Sequence, residues 1–518
     1  MAIYINRSSP RLSRREIALL LILCVIPVVG ILLSTKSGVG ISPDSVGYIS
    51  AGLNLANGDG LTTYSGAPLV SQPPGLPALI AAGRFLGGDF EWTVRIVNSV
   101  ALMLTVLLSF TLLRRHVSSR TVVIGGTLLT AVSGWLLAVA DKVWTESIFI
   151  VAVLAFIICL EELLATSTPW HGIALITLAA TLVWASFLMK YVGLFLIPIG
   201  IIILLFSRWR IPLRIKFVYA ATFAALSSSL PAWWLLENVS TAGSAMGPRY
   251  PSSDAPATNA LRTLSTVGQW ILPGGIAPYL SAALGGIAIL GTGTSLWRIR
   301  TPVSAPTPSV MPLVVLIAGY AGALVVAASS RAFDVIDNRL LSPIYVPCIV
   351  LGAIVVNRCW TSGLSAWRRP TITVVIIILA IQGAFFVRVA WRDSAGIGYA
   401  APKWRNSQLI RKTSLWPDGV VLYSNVPEAV WLYTRRSPVL PSPKVTEYRS
   451  SASGVVPEIF LRDAACNRTY LVWFYESPHK YSMNLEQLSN FVKLNMASES
   501  GDGAIYRVEA SNKLACTP

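Results

Sequence analysis

The stretch SPDSVGYISAGLNLANGDGL, Ser42 to Leu61, follows directly on the first long apolar segment of the chain. It holds two acids, Asp44 and Asp59, and four glycines. Proline disfavours helical geometry in the residue before it, so Ser42–Pro43 ends the apolar helix. Proline also suits the first turn of a new helix. Val46, Ile49, Leu53 and Ala56 then fall mainly on one side, which predicts a short amphipathic helix able to lie along a membrane surface. Asp44 stands in its first turn. Two readings are open there: an acid favoured by the helix dipole, or a base held where bilayer meets water.

The rest of the chain makes the membrane setting necessary. Of 518 residues, 54% are hydrophobic and 13% charged, whereas soluble domains carry about 25% charged residues. So little charge cannot cover a soluble surface, and the class is a polytopic α-helical membrane protein. The net charge of +17 fits the Lys/Arg excess of cytoplasmic loops. No basic module interleaved with aromatic residues appears, which argues against a nucleic-acid partner.

A spanning helix needs about 20 apolar residues. On that rule about eleven spans are expected, near 17–35, 94–113, 121–140, 146–163, 171–189, 192–207, 217–236, 274–297, 311–329, 341–357 and 371–390. The first has basic residues before it but no small-residue cleavage site, and reads as an uncleaved span rather than a signal peptide. Arg7, Arg11, Arg14, Arg15, Arg114, Arg115, Arg120, Arg208, Arg210, Arg214, Lys216, Arg298, Arg300, Arg358, Arg368 and Arg369 all fall on one side if the N-terminus is cytoplasmic. The C-terminus is then extracytoplasmic. The stretch 161–170, with Glu161 and Glu162 and no basic residue, departs from this pattern.

Two units follow: a transmembrane domain, 1–390, with external loops 36–93 and 237–273, and an extracytoplasmic α/β domain, 391–518. In the tail, VVLYSN, TYLVWFY and GAIYRV read as strands, and PEAVWLYT and NLEQLSNFVKL as helices. Cys466 and Cys516 are the cysteines on the external side. They are expected either to form a disulfide or to remain unpaired.

The charged residues at the external ends of the spans are the candidates for chemistry. Glu146 opens the fourth span, where a carboxylate is either solvated or, if inside the apolar run, costly and functional. Lys190 sits in a tight turn and either snorkels to the interface or meets an anion. Arg249 and Arg339 are external cations near the same face, each either merely solvated or part of a site. Cations for a leaving phosphate and a carboxylate as base are what a lipid-linked phosphate reaction needs. Asn238-Val-Ser and Asn467-Arg-Thr fit the N-glycosylation pattern.

With these residues in order, the chain resembles the GT-C superfamily of polytopic membrane glycosyltransferases. It is most similar to the branch of protein O-mannosyltransferases and the aminoarabinose transferase of lipid A. The resemblance rests on SPDSVGYISAGLNLANGDGL, VSQPPGLPAL, DKVWTESIF, MKYVGLFLIP, GPRYPS, DNRLLSPIYVP and the tail stretch VVLYSNVPEAVWLYTRRSPVLPSP. It implies transfer of a sugar from a polyprenyl-phosphate-linked donor to a glycan, lipid or protein acceptor at the outer face of the cell membrane. Asp44 would be the general base of an inverting reaction and Glu146 a second catalytic acid. Lys190, Arg249 and Arg339 would bind the lipid phosphate. No cofactor is assigned, and a divalent cation is left open, because the histidine-containing loops of some relatives are absent. A transporter or lipid flippase is the rival reading, and a polysaccharide polymerase or ligase of similar design a further one.

Overall fold

The computed structural model describes residues 12–166, 168–207, 211–247, 251–274, 277–297, 309–331, 334–361, 365–417, 419–439, 458–466, 468–476 and 483–510. The first helix, Arg14–Ser34, opens on a reciprocal cap: Ser13 accepts from the Glu16 amide and Glu16 accepts from the Ser13 amide. Beyond that turn it is apolar on every side. Leu21, Ile22, Val25 and Leu32 remain more than half exposed, as lipid-facing residues are. Among the described residues, eight helical segments are long and apolar enough to cross a membrane. They are Arg14–Ser34, Phe90–His116, Arg120–Ala140, Glu146–Ala165, Trp170–Met189, Met311–Ser330, Asn338–Arg358 and Arg369–Asp393. The other three expected spans are helical too. Leu196–Phe206, with its leading turn Tyr191–Phe195, is short, and Leu213–Ala242 is diluted by polar residues; Pro278–Trp297 is a helix of 20 residues. The count of eleven is thus matched by eight spans among the described residues.

The expected span at 121–140 is interrupted. Arg120–Ala131 and Gly134–Ala140 are separate helices, because Ser133 is extended and caps the second by accepting from the Leu136 amide. Gly134 has no side chain to keep the Phe385 ring away; a Cβ there would lie 2.5 Å from it. Glu161 and Glu162, the exception to the charge pattern, are neutralised by the end of Phe90–His116. Arg115 pairs with Glu162, and His116 Nε2 lies 2.8 Å from Glu161 Oε1. The main apolar core runs between the spans, with Phe149, Phe156, Phe223 and Tyr320 fully buried in it.

The amphipathic helix after Ser42 forms as Pro43–Asn57. Ser42 caps its start, and Gly58, at φ 92°, ends it. Its apolar side does not lie open on lipid. Val46 and Ile49 are buried in a cluster with Trp404, Val430 and Trp431 of the tail. Against it runs Gly75–Phe85, so close that a Cβ on Gly52 would stand 2.7 Å from Ile80. The sequence shows an apolar face; the structure covers it with protein.

Backbone pairing fixes the tail to this loop. The Gly40 amide donates to Asp141 O and the Val143 amide to Gly40 O, while Ile41 exchanges bonds with Ile397 and Tyr399. Three segments distant in sequence thus frame the start of the helix that carries Asp44. Gly398 is essential to the pairing: its φ is +60°, and a Cβ would fall 2.1 Å from Ile41 O. Gly398→Ala is expected to cost about 1–3 kcal/mol of stability and to expose the 391–420 region to protease. Unchanged melting and digestion would show that the pairing is dispensable.

The tail holds a four-stranded sheet in the order β1-β2-β4-β3, with β1 Val421–Ser424, β2 Thr469–Phe474, β3 Val492–Ser500 and β4 Gly503–Ala510. β1 and β2 are parallel, and the other pairs antiparallel. The helix Pro427–Thr434 lies where PEAVWLYT predicts it. The helix expected over NLEQLSNFVKL stops at Ser489, and β3 begins at Val492. Asn484 and Gln487 cap a single short helix. β3 is largely exposed, so its residues do not alternate in the way that marks a half-buried strand. The Cys466 and Cys516 side chains and Asn467 lie outside the described residues.

Candidate active site

Asp44, Glu146, Lys190 and Arg339 come from four separate elements and meet at one end of the bundle. Asp44 follows Pro43 in the first turn of its helix. Glu146 is the first residue of Glu146–Ala165. Lys190 is the extended residue between Trp170–Met189 and Tyr191–Phe195. Arg339 is in the first turn of Asn338–Thr361, where Asp337 accepts from the Arg339 and Leu340 amides.

Arg339 joins the group. Its Nη2 donates to Asp44 Oδ2 at 3.0 Å and its Nε to Glu146 Oε1 at 2.7 Å. Lys190 Nζ donates to the same Glu146 oxygen at 2.7 Å. Asp334 Oδ2 is 3.4 Å from Arg339 Nη1 at the solvent side. Three carboxylates, Asp44, Glu146 and Asp334, thus face two cations, Lys190 and Arg339. Burial separates two of the acids. The Glu146 side chain is 1% exposed and sits beneath both cations, whereas Asp44 is 44% exposed. Asp44 can meet a molecule arriving from water; Glu146 meets the cations.

Three further groups hold this arrangement. The Arg339 guanidinium lies 4.3 Å from the Trp144 ring centroid, a cation–π contact. Trp144 Nε1 donates to Ser42 Oγ at 2.9 Å, tying the same ring to the cap of the Asp44 helix. Gln72 Nε2 donates to Asp44 O at 3.2 Å, and its Oε1 is buried without a partner. Lys142 approaches the Trp144 ring at 5.2 Å and binds Asp141 at 2.7 Å. Burial pushes the Asp141 carboxyl up to about 7 against the pull of Lys142, with Asp393 beside it adding to the rise.

Sequence reasoning named Asp44, Glu146, Lys190 and Arg339, and the fold brings all four together. Arg249 lies outside the described residues. Trp144 and Gln72 were missed as site residues. Their signal was position alone: Trp144 stands two residues before Glu146, and Gln72 directly precedes Pro73 and Pro74. Asn238, read as a glycosylation pattern, is buried, and its amide donates to Tyr191 Oη and Ala245 O, so it is not presented to a modifying enzyme in this fold. Among the described residues, no three His, Cys, Asp or Glu side chains converge to hold a metal ion.

The backbone matches the crystal structure of ArnT from Cupriavidus metallidurans in the apo state with a TM-score of 0.64 over 95% of this chain and 98% of that one, at 12% identity. The fold is that of the GT-C glycosyltransferases. The same ArnT bound to undecaprenyl phosphate matches with a TM-score of 0.57, 14% identity, and 94% and 98% coverage. The Archaeoglobus fulgidus oligosaccharyltransferase, in a complex with Zn and sulfate, matches at 0.55 and 13% identity over 94% of this chain and 73% of its own. Residues 71–234 match the family model of dolichyl-phosphate-mannose-protein mannosyltransferases. That matched segment includes Gln72, Trp144, Glu146 and Lys190, while Asp44, Arg339 and the tail lie beyond it. No curated protein matches the chain by sequence.

Proposed function

We propose that the chain transfers a sugar from a polyprenyl-phosphate-linked donor to an acceptor hydroxyl, with inversion, at the outer face of the cell membrane. The observation that carries this reading is Arg339, held between the half-exposed Asp44 and the buried Glu146, with Lys190 on the same Glu146 oxygen. The undecaprenyl phosphate bound by the similar ArnT supports a lipid phosphate as the donor's carrier.

In this reading the donor phosphate takes the place of Asp44 on Arg339, within reach of Lys190. Asp44, released, accepts the proton of the acceptor hydroxyl. The acceptor oxygen forms its bond to the anomeric carbon as the bond from that carbon to the phosphate oxygen breaks. The polyprenyl phosphate leaves with an added negative charge, which Lys190 and Arg339 stabilise more strongly in the transition state than in the bound donor. Glu146 keeps the two cations aimed, and Trp144 holds the guanidinium plane. Arg249 is proposed to add charge on the phosphate side.

Purified chain incubated with labelled polyprenyl-phosphate sugar is expected to release free polyprenyl phosphate and to place the label on an acceptor. Movement of the intact labelled lipid across a bilayer, without release, would overturn the reading in favour of a transporter. The orientation is tested separately. Reporter fusions at Ser118 and Ser511 are expected to give opposite signals, cytoplasmic and extracytoplasmic; matching signals would contradict the path between them.

A further inference from the structure

Pro256–Ile271, in the loop before Pro278–Trp297, is an amphipathic helix packed against the bundle. It crosses Pro278–Trp297 so closely that a Cβ on Gly268 would run into Ser281 O. Two residues further on, Trp270 is buried, its ring perpendicular to that of Tyr345 with the centroids 5.1 Å apart. Polar bonds fix it on two sides. Gln382 Nε2, on the last span, donates to Trp270 O at 2.7 Å. Trp270 Nε1 donates to Asn338 Oδ1 at 2.8 Å, and Asn338 Nδ2 donates in turn to Trp135 O at 3.2 Å.

Asn338 opens the helix Asn338–Thr361 and directly precedes Arg339. The first turn of a helix has amides with no partner inside the helix, and helix ends fray. Here Asp337 takes the Arg339 and Leu340 amides, and other elements hold both ends of the Asn338 side chain. The turn is thus fixed to the bundle from outside its own helix. Arg339 depends on that, because its guanidinium meets Asp44, Glu146 and the Trp144 ring at once. A long side chain follows any rotation of its backbone.

We propose that Trp270 is a positioning residue: through Asn338 it sets the direction in which Arg339 leaves the start of its helix. The consequence for a donor rests on the reading of Arg339 as a ligand of the lipid phosphate. Misplacing a group at such a site by about 1 Å is costly, so a hydrogen bond from a loop helix controls how well the guanidinium fits a phosphate. Other bonds of that helix do not have this reach. Asn259 Nδ2 donates to Ser329 Oγ at 3.0 Å, and Arg262 pairs with Asp254. Both end elsewhere than on the helix that carries Arg339.

The test compares Trp270→Phe with Ser329→Ala in the full chain in detergent, reading undecaprenyl phosphate binding and melting temperature on the same samples. Each removes one hydrogen bond of Pro256–Ile271, and Phe keeps an aromatic ring beside Tyr345. Trp270→Phe is expected to weaken undecaprenyl phosphate binding about fivefold, the worth of one hydrogen bond. Ser329→Ala is expected to keep binding within about twofold of the parent, whatever it costs in melting temperature. Asn338→Ala breaks the Trp270 bond from its other end and is expected to weaken binding at least as much as Trp270→Phe. In an Arg339→Gln background, Trp270→Phe is expected to add no further loss, since the side chain it aims is gone. Parent-like binding by Trp270→Phe or Asn338→Ala would overturn the proposal, as would a loss that tracks melting temperature in Ser329→Ala too, or a further loss on top of Arg339→Gln. No binding by the parent chain would overturn the donor reading, and this inference with it. Asn338→Ala decides the matter if Trp270→Phe fails to fold, and the single variants do so if Arg339→Gln fails.

Discussion

Replacing Asp44 with Asn is expected to lower turnover by at least about a hundredfold, the lower end of what general-base catalysis contributes. Asn keeps the shape of the side chain and can still accept a hydrogen bond from Arg339, so the helix cap and the guanidinium position should survive. The variant loses only the group that takes the proton. Donor affinity is expected to hold or to rise slightly, because the phosphate no longer competes with a carboxylate for Arg339. A variant that folds, reaches the membrane and turns over normally would leave Asp44 as an acid favoured by its helix dipole and nothing more.

Glu146→Gln is expected to act on stability and turnover together. Its carboxylate is the shared partner of Lys190 and Arg339, at 2.7 Å from each, and their side chains are only 13% and 16% exposed. Removing one member of a buried ion group leaves charge without compensation, at a cost of about 3–5 kcal/mol. A clear fall in melting temperature should follow, with loss of turnover as the cations leave their positions. The double variant Glu146→Gln, Lys190→Met removes one charge of each sign. It is expected to recover part of the melting temperature but not the turnover, since the site then lacks a cation. Additive losses in the double variant would show that the two residues are not coupled in the way their geometry requires.

Much of this arrangement was legible before any coordinates. Pro43 marked the start of the helix carrying Asp44, and Lys and Arg placement marked which helix ends share a face. What a linear reading could not supply was partner choice. Arg339 is 295 positions from Asp44, and a cation at a helix entrance looks the same whether it faces a carboxylate, a phosphate or water. Hence Arg339 and Lys190 were read as phosphate ligands, with no sign that Glu146 lies beneath them. The indole of Trp144 was invisible for the same reason, as Ser42 and Arg339, which it touches, come from opposite ends of the transmembrane domain. In the tail, the exposed strand β3 lacked burial alternation, and helical spacing in NLEQLSNFVKL was followed past the point where the chain turns to pair with β4. The break before Gly134 was hidden because apolar residues continue on both sides of it, and only the approach of Phe385 shows why glycine is there.

The most direct measurement is an experimental structure of the chain with polyprenyl phosphate bound. The account predicts the phosphate oxygens within hydrogen-bond distance, about 3 Å, of Arg339 and Lys190, with the Asp44 carboxylate released from Arg339 and open to water. A phosphate bound elsewhere, with the Asp44–Arg339 pair intact, would contradict it.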